Sequence, residues 1–262
     1  MSRTLVGVFA HPDDDAYGIA GTVALHADDP EFRFVLVLAT DGGHGDIRDG
    51  FPATRDTLGA IRRGEDEAAW RALGREPDRR IWLDYEDGTV DRVPVDELVD
   101  RLAVILAEEQ PDVVATFGPD GIFGHPDHIA IGAATDTAFH RLAPRAERGF
   151  RRLCHGAIPE SVFSRWNDQR TAMGLFVFDP TRTYHMRGVP DEQIGVTVDC
   201  RPVADRVVAG LGEHHSQHHV MSDDPSDLER WRRVVSREWW VVAWPEQPAG
   251  APMLADVFDG LD

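Results

Sequence analysis

Uninterrupted apolar runs recur along the first half of the chain, and segments long enough to form helices separate them. The clearest runs are Thr4–Ala10 and Phe34–Ala39. A strand that is buried on both faces has a continuous apolar sequence, whereas a strand with one wet face alternates. Because parallel strands must be joined by crossover connections, this order predicts a mostly parallel sheet with helices on both faces.

The remaining elements of the first half follow the same alternation. Gly74 stands where a helix C-terminus favours glycine, so the preceding helix is expected to end at Leu73. In chain order the prediction is strand Thr4–Ala10, helix Tyr17–Ala27, strand Phe34–Ala39, helix Asp56–Leu73, strand Arg80–Asp84, helix Pro94–Glu109, strand Asp112–Phe117 and a helix beginning near His128. This pattern predicts an α/β, Rossmann-like fold over residues 1–145.

The second half is less regular, and we interpret residues 146–262 as a C-terminal elaboration that shapes the substrate cleft. The predicted elements are strand Arg151–Ile158, a mixed segment Val162–Pro190, strand Gly195–Cys200 and helix Val203–Gly212. The tail is rich in tryptophan and is expected to pack on the body of the protein. No repeat and no Gly-, Ser- or Pro-rich linker divides the chain, so residues 1–262 are interpreted as one domain.

Composition excludes several classes of partner. The formal charge is −19, from 46 acidic residues against 27 basic residues, all of which are arginine. Such a field repels nucleic acid and anionic lipid, so we expect neither nucleic acid nor membrane as a partner. The two cysteines form no CxxC pair, which argues against a thiolate zinc site. Without a signal peptide or an apolar span near the N-terminus, the cytoplasm is the expected compartment, and a homo-oligomer remains open.

Two short histidine motifs follow predicted strands. His11–Asp15 ends the first strand, and Gly124–His128, with the sequence GHPDH, comes shortly after the strand Asp112–Phe117. Ligands of open parallel sheets bind beyond the carboxyl ends of the strands, so both motifs should reach the same edge. Imidazole and carboxylate ligands suit zinc and related divalent ions such as Fe²⁺. The alternative for the first motif is ordinary helix capping by its carboxylates.

Two other stretches allow a functional interpretation. The sequence HHSQHH at His214–His219 could form a second metal site, but we favour mostly solvent-facing histidines with His214 alone approaching the cleft. The glycine-rich segment Asp41–Asp46 could hold phosphate through backbone amides, yet it lacks the spacing of a nucleotide-binding loop. It also has no P-loop lysine, so we do not favour nucleotide binding.

Five motifs in order resemble those of the LmbE-like or PIG-L superfamily of zinc-dependent N-acetylglucosamine deacetylases. They are AHPDDD at Ala10–Asp15 with Gly18 and Gly21–Thr22, the set Arg62, Glu65, Ala69 and Leu73–Gly74, then Asp87–Gly88, Gly124–His128 and His214–Gln217. The resemblance spans most of the chain. It implies a metal-dependent amide hydrolase that removes the N-acetyl group from a small amino-sugar conjugate.

The resemblance also implies a role for each matched residue. His11, Asp14 and His128 would be the Zn²⁺ ligands, and Asp13 the general base. His125, if protonated, would stabilise the developing oxyanion. Arg62 and Asp87 match positions that hold sugar hydroxyls in relatives, and His214 is assigned to the substrate side of the cleft. Asp15 is expected to cap the following helix or to hydrogen-bond a ligand histidine.

Two departures from the family pattern affect the substrate more than the reaction. Phe123 occupies a position where the mycothiol-pathway deacetylases have a tyrosine, and Gly43 stands where the family often has glutamate. Two alternatives to N-deacetylation therefore stay open. One is an amidase that cleaves a larger acyl group from a glucosaminyl thiol conjugate, and the other is a sugar- or nucleotide-binding module that has lost the reaction.

Overall fold

Seven strands form one sheet in the computed structural model, which describes residues 3–217, 227–248 and 250–261. In chain order they are β1 (Arg3–Phe9), β2 (Phe32–Thr40), β3 (Arg79–Tyr85), β4 (Val113–Phe117), β5 (Arg152–Gly156), β6 (Ile194–Asp199) and β7 (Arg237–Trp244). Across the sheet the order is β3-β2-β1-β4-β5-β7-β6. The first five strands are parallel, and β7 lies antiparallel between β5 and β6.

Helices connect these strands. Those of the described residues are α1 (Asp14–Gly18), α2 (Ala20–Leu25), α3 (Arg55–Leu73), α4 (Val95–Glu109), α5 (Gly121–Gly124), α6 (Pro126–Leu142), α7 (Glu160–Ala172), α8 (Ala204–Leu211) and α9 (Leu228–Val234). The predicted end of α3 is confirmed, because Gly74 caps it in the left-handed conformation with φ 84°. No helix of the described residues is long and apolar enough to cross a membrane.

The direction of the crossovers puts helices on both faces of the sheet. From β1 the chain moves outward through α1, α2 and α3 to β3, and it then returns through α4 to β4 on the other side of β1. Because parallel crossovers are right-handed, reversing the direction of travel moves the helices to the opposite face. In agreement, α3 packs against α8, while α4 packs against α6. The predicted α/β, Rossmann-like fold is confirmed.

The core lies on both faces of the central strands. The side chains of Leu5, Val6 and Val8 on β1 and of Val35 and Leu36 on β2 are fully buried. These residues belong to the continuous apolar runs of the sequence, so their burial follows from the sheet being covered on both faces. The arrangement fixes the carboxyl ends of β1 and β4 side by side.

The predicted helix Tyr17–Ala27 is wrong in one respect, because it is two helices interrupted at Ile19. The second helix begins again at Ala20, and the carboxylate of Glu238 on β7 accepts hydrogen bonds from the N–H groups of Gly21 (2.6 Å) and Thr22 (3.2 Å). A carboxylate satisfies the free donors at a helix N-terminus and suits its dipole. This cap comes from a residue more than two hundred positions away, so local sequence patterns could not reveal it.

The second half also differs in detail from the prediction. The mixed segment begins with α7, and the tail contains a full strand, β7, which the sequence analysis did not identify. The expected packing of the tryptophan-rich tail is confirmed for Trp231 and Trp240, both of which are buried. The tail therefore completes the sheet, and it supplies one wall of the cavity described below.

Candidate metal centre and active site

The two histidine motifs meet at the carboxyl edge of the sheet, between β1 and β4. This is the point where the strand order reverses, and open α/β sheets bind ligands there. His11 follows β1, whereas His125 and His128 lie at the start of α6, which follows β4. Residues more than a hundred positions apart are thus brought to one place, as the sequence predicted.

Three ligand-type atoms form a close triangle at this edge. Nδ1 of His11 lies 3.1 Å from Oδ2 of Asp14 and 3.1 Å from Nε2 of His128. The same oxygen of Asp14 lies 3.2 Å from Nε2 of His128. Tetrahedral ligands that lie about 2.0–2.1 Å from a zinc ion are about 3.3 Å from one another. The triangle therefore has the size that a single divalent ion requires.

The hydrogen bonds on the far sides of the rings fix which nitrogens face the triangle. Nδ1–H of His128 donates to the carbonyl oxygen of Gly121 at 3.2 Å, which leaves a lone pair on Nε2. Nε2 of His11 lies 3.0 Å from Asp87 and 3.3 Å from Asp127, so the proton on Nε2 is held there, and Nδ1 is the nitrogen that would give up its proton to bind a cation. Carboxylates behind a ligand histidine are typical of metal sites, since they fix the tautomer and raise ligand basicity.

Two other groupings of potential ligands overlap this triangle. One replaces Asp14 by His125, and the other joins Asp87 and Asp127 to the opposite nitrogen of His11. In each of these groups the potential ligand atoms lie within 4.8 Å of one another. In the set His11, Asp14 and His128 all three distances are 3.1–3.2 Å, so we take it as the candidate metal centre.

In the metal-free protein, the close approach of these side chains shifts the pKa values of Asp14 and His11. Burial opposes ionisation of Asp14, yet the imidazoles of His128 and His11 outweigh it and hold the pKa of Asp14 well below its usual range. Burial also opposes the charged form of His11, but hydrogen bonds to Asp127, Asp14 and Asp87 raise its pKa well above the usual range. The cluster thus favours a positive charge at its centre.

Asp13 stands beside the triangle in a strained backbone conformation. Its φ is +96°, which residues other than glycine rarely adopt. Oδ2 of Asp13 lies 3.2 Å from Nη2 of Arg62, and the side chain lines the cavity. Burial raises the pKa of Asp13 to about 7, and the charge of Arg62 opposes that rise. A carboxyl with a pKa near neutrality can both accept and return a proton.

His125 is placed by a backbone hydrogen bond. The N–H of Asp127 donates to Nδ1 of His125 at 3.1 Å, so the remaining ring proton belongs to Nε2. Burial, together with the charges of His11 and His128, lowers the pKa of His125 to about 4. At neutral pH the ring is an uncharged donor, which differs from the protonated imidazolium considered from the sequence. A neutral histidine can still donate a hydrogen bond to a developing oxyanion.

Asp15 faces away from the metal triangle. Its Oδ2 accepts a hydrogen bond of 2.6 Å from Nε1 of Trp70 on α3, and its Oδ1 accepts one of 3.2 Å from the N–H of Asp13. Of the two roles expected for Asp15, the bond from the N–H of Asp13 at the start of α1 is of the capping kind, whereas Trp70 takes the place of a ligand histidine as the side-chain donor. Through these two hydrogen bonds, Asp15 connects the first histidine motif to α3.

The residues assigned to the substrate side have different positions in the structure. Arg62 is buried, and its guanidinium donates to the carbonyl oxygens of Gly42 (2.9 Å) and Pro12 (2.5 Å) as well as pairing with Asp13. Asp87 accepts the N–H of His44 at 2.8 Å while holding His11. Both residues line the cavity, but much of their hydrogen-bonding capacity serves the site itself.

His214 is buried and is not among the described residues that line the cavity. The expectation that it approaches the substrate from the cleft is therefore not matched by its position. His215 is exposed, whereas His218 and His219 lie outside the described residues, so the possible second metal site at His214–His219 is not described.

Asp127 is a functional candidate that the sequence analysis did not single out. It is completely buried, it accepts the N–H groups of Gly88 (2.8 Å) and Val90 (3.0 Å), and it faces His11. Its position inside GHPDH, between two histidines, was the available signal. Fixed by two backbone donors, its carboxylate can orient the imidazole of His11.

A cavity of about 290 Å³ opens beside the triangle. His11, Asp13, Asp14, His125 and His128 all line it. The ring of Phe123 lies 4.8 Å from that of His128, measured between centroids, and the ring of Tyr184 lies 5.3 Å from that of His125. The phenyl ring of Phe123, which departs from the family's tyrosine, thus forms part of the cavity wall next to the candidate metal ligands.

Comparison with known families agrees with this geometry. Residues 6–139, which include both histidine motifs and slightly more than half of the chain, match the model of PIG-L, described as GlcNAc-PI de-N-acetylase. The chain belongs to the PIG-L family.

Relatives of this PIG-L protein carry deacetylase names. A 1D-myo-inositol 2-acetamido-2-deoxy-alpha-D-glucopyranoside deacetylase from Acidothermus cellulolyticus is 29% identical over 100% of this chain and 96% of the relative. One of the same name from Kineococcus radiotolerans is 30% identical over 91% of this chain and 75% of the relative. The structure of N,N'-diacetylchitobiose deacetylase from Pyrococcus horikoshii has the same fold, with a TM-score of 0.59 and 22% identity over 100% of this chain and 89% of that one.

Proposed function

We propose that this protein is a zinc-dependent hydrolase that removes the N-acetyl group from an N-acetylglucosaminyl conjugate. The observation that carries the proposal is the triangle of two imidazole nitrogens and one carboxylate oxygen, with Asp13 beside it. At 3.1–3.2 Å from one another, these three atoms have the spacing of ligands around one divalent ion. A binding module that had lost the reaction would not need Asp13 in that place.

His11, Asp14 and His128 would hold the ion, and their nitrogen and oxygen donors suit Zn²⁺. When bound, the ion supplies Lewis-acid activation of the amide carbonyl and of the attacking water. Asp87 and Asp127 keep the proton of His11 on Nε2, so that Nδ1 remains available as a ligand. All three residues line the cavity, from which substrate and solvent would reach the ion.

Asp13 would take the proton of the attacking water as its oxygen bonds to the carbonyl carbon. Nε2–H of His125 would then donate a hydrogen bond to the oxygen of the former carbonyl. The carbon–nitrogen bond breaks, and Asp13 returns the proton to the departing amine. The products are acetic acid and the glucosaminyl amine, and transfer of the acid proton to the amine gives acetate and an ammonium group, so atoms and charge balance. Arg62 keeps the carboxylate of Asp13 in place through the ion pair.

The substrate class is proposed from the family and from its relatives' names. The two curated relatives are named for an acetamido glucopyranoside linked to inositol. We therefore propose a small amino-sugar conjugate as the substrate, acted on in the cytoplasm. The acidic charge of the chain remains unfavourable for nucleic acid.

The test is acetate release from 1D-myo-inositol 2-acetamido-2-deoxy-alpha-D-glucopyranoside and simpler N-acetylglucosaminides, by protein stripped of metal and reloaded with zinc. We expect turnover by the reloaded protein. Asp13→Asn should lose turnover and keep about one zinc per chain, whereas His128→Ala should lose both. Glu67→Gln, at an exposed position of α3, is the control for removal of a surface carboxylate. Absence of amide hydrolysis by zinc-loaded protein would contradict the proposal.

A further inference from the structure

Exposed apolar side chains are concentrated in the segment that follows α7. Four of the ten large apolar side chains that are exposed among the described residues lie there, namely Met173, Phe176, Val177 and Tyr184. Phe176 is 58% exposed and Tyr184 is 61% exposed, and no other aromatic side chain of the described residues is as exposed. We call these four residues the rim patch. Soluble proteins rarely expose a continuous apolar surface, and such patches mark sites of interaction.

The rim patch adjoins the active-site cavity. Trp166 on α7 and Met186, which closely follows Tyr184 in the sequence, both line the cavity and are half-buried. The ring of Tyr184 lies edge-to-face with that of His125, at a centroid distance of 5.3 Å. A substrate group that leaves the cavity past His125 therefore meets Tyr184.

Ring contacts continue from Tyr184 to the rest of the patch. The ring of Phe176 lies 5.0 Å from that of His185, the residue after Tyr184, and 5.6 Å from that of Phe178. Phe178 is held to α7 by Asn167, whose side chain donates to its carbonyl oxygen at 2.9 Å and accepts its N–H at 3.0 Å. The patch is thus one surface that extends outward from His125.

The backbone holds Tyr184 in a conformation that residues other than glycine rarely adopt, with φ +63°. On either side of it the chain is anchored. The N–H of Asp179 donates to Nδ1 of His185 at 2.7 Å, and the N–H of Arg187 donates to the carbonyl oxygen of Ile122 at 3.0 Å. Such strain persists only where the surrounding structure imposes it. A surface fixed in this way loses little conformational freedom when a ligand binds.

We propose that the rim patch binds the aglycone of the substrate, and that this aglycone is apolar and preferably aromatic. This inference rests on the proposed amide hydrolysis. The carbonyl carbon reacts at the metal triangle inside the cavity, and the acetyl group ends one methyl beyond it. The aglycone is attached to the sugar ring beyond the amide nitrogen. It is therefore the part of the conjugate that extends to the surface outside the cavity.

The chemistry of the patch favours an apolar aglycone over a hydroxylated one. An aromatic ring can pack on Tyr184 and Phe176 and bury apolar surface. The hydroxyls of an inositol would lose hydrogen bonds to water at the same place. We therefore infer an aglycone different from the inositol for which the two curated relatives are named.

A second copy of the chain or a lipid surface fits the patch less well. The formal charge of −19 makes two copies repel each other, and it also repels anionic lipid. Neither partner would require the contact between Tyr184 and His125, whereas an aglycone joined to the reacting sugar must pass close to the catalytic groups.

The test compares alpha-glycosides of N-acetylglucosamine that carry methyl, benzyl, cyclohexyl and myo-inosityl aglycones, with the zinc-loaded protein. The cyclohexyl and inosityl groups share a six-membered ring and differ in their hydroxyls. We expect kcat/KM to be roughly tenfold higher for benzyl than for methyl, and higher for cyclohexyl than for inosityl, because burial of apolar surface is favourable. The gain should lie in KM, since the patch contacts the aglycone equally before and during the reaction. Calorimetric titration of the metal-free protein should rank the affinities in the same order.

Variants of the patch locate the effect. In Phe176→Ser and in Tyr184→Ser the ratio of benzyl to methyl kcat/KM should fall roughly fivefold, and the ratio of the two affinities should fall with it. Val177→Ser should lower both ratios in the same direction, and it serves if Phe176→Ser does not fold. Val104→Ser is its matched control, because Val104 is 59% exposed on α4 and does not line the cavity. It should leave both ratios unchanged.

The outcomes separate this inference from the proposed reaction. If no glycoside is hydrolysed but the benzyl glycoside binds more tightly than the methyl glycoside, and Phe176→Ser removes that difference, the reaction is wrong and the assignment of the patch stands. If the methyl glycoside is hydrolysed and the benzyl glycoside has no advantage in kcat/KM or affinity, the inference is overturned.

Two further results would also overturn it. One is a dimer, detected by light scattering, that Phe176→Ser converts to a monomer, because a second copy would then cover the patch. The other is sedimentation of the wild type, but not of Phe176→Ser, with vesicles of phosphatidylcholine and phosphatidylglycerol.

Discussion

Nη2 of Arg62 lies 3.2 Å from Oδ2 of Asp13, while the same guanidinium donates to the carbonyl oxygens of Gly42 and Pro12. One buried arginine thus ties the turn after β1 to the loop after β2. The adjacent Gly42 has no side chain, and a Cβ atom there would lie 2.2 Å from Nη1 of Arg62. The carboxylate proposed as the general base is held by this connection.

Replacing Arg62 should therefore damage the chemical step more than metal binding. We expect Arg62→Met to lower kcat by roughly a hundredfold, because misplacing a catalytic group has effects of that size. KM should change less, and zinc content should stay near one per chain. Arg63→Met is the control, since Arg63 is adjacent in sequence and stacks on the ring of Trp82 instead. Equal losses of kcat in both variants would contradict the role of Arg62.

The backbone conformation of Asp13 leads to a prediction about the free energy of unfolding. At φ +96°, a glycine avoids the steric cost that any Cβ atom incurs. Chemical denaturation should give metal-free Asp13→Gly a free energy of unfolding about 1 kcal/mol higher than that of Asp13→Ala. At Asp96, in the first turn of α4, the same comparison should favour alanine. If alanine is favoured at both positions, the backbone at Asp13 is not strained.

Asp127 should act on zinc affinity through His11. Asp127→Asn keeps an acceptor for only one of the N–H groups of Gly88 and Val90, which donate to different oxygens, and it removes the charge beside the imidazole. We expect zinc affinity to fall by about 10–100-fold, as for other carboxylates behind ligand histidines. Competition with a chelator measures this affinity. Asp136, on the same helix, pairs with His155 instead of His11. The control variant Asp136→Asn should therefore leave zinc affinity unchanged.

Glu238 should make stability depend on pH. Burial raises the pKa of Glu238 to about 7, even though bonds from Thr22 and Gly21 oppose that rise. Because the folded-state pKa lies above the unfolded value of 4.5, the carboxyl contributes its full stability below pH 4.5 and loses it as the pH rises through about 7.

The measurement for Glu238 is chemical denaturation of metal-free wild type and Glu238→Gln between pH 4.5 and 8. Relative to the variant, the wild type should lose on the order of 3 kcal/mol across this range. Glu67→Gln, at an exposed position, controls for the removal of one carboxyl. A difference that grows with pH in favour of the wild type would contradict the raised pKa.

Much of the architecture could be predicted from the sequence because its signals are local. Continuous apolar runs identified the central strands, and Gly74 identified the end of α3. The reversal of strand order placed His11 and His128 together, since both follow strands of one parallel sheet. These inferences needed only periodicity, capping and the handedness of crossovers.

The features that were missed depend on long-range contacts. The break at Ile19 accompanies the cap from Glu238, and Asp15 turns to Trp70 rather than to a ligand histidine. Asp87 was assigned to sugar hydroxyls, yet it also lies against His11. In each case a side chain found a partner from a distant segment, and its own neighbours in sequence contain no signal of that partner.

The central claim is that one divalent ion binds among His11, Asp14 and His128. The most direct measurement is an anomalous difference map, at the zinc edge, from a crystal of zinc-loaded protein. We expect one peak about 2.0–2.2 Å from Nδ1 of His11, Oδ2 of Asp14 and Nε2 of His128. A peak on the Nε2 side of His11, between Asp87 and Asp127, or no peak at this edge of the sheet, would contradict the claim.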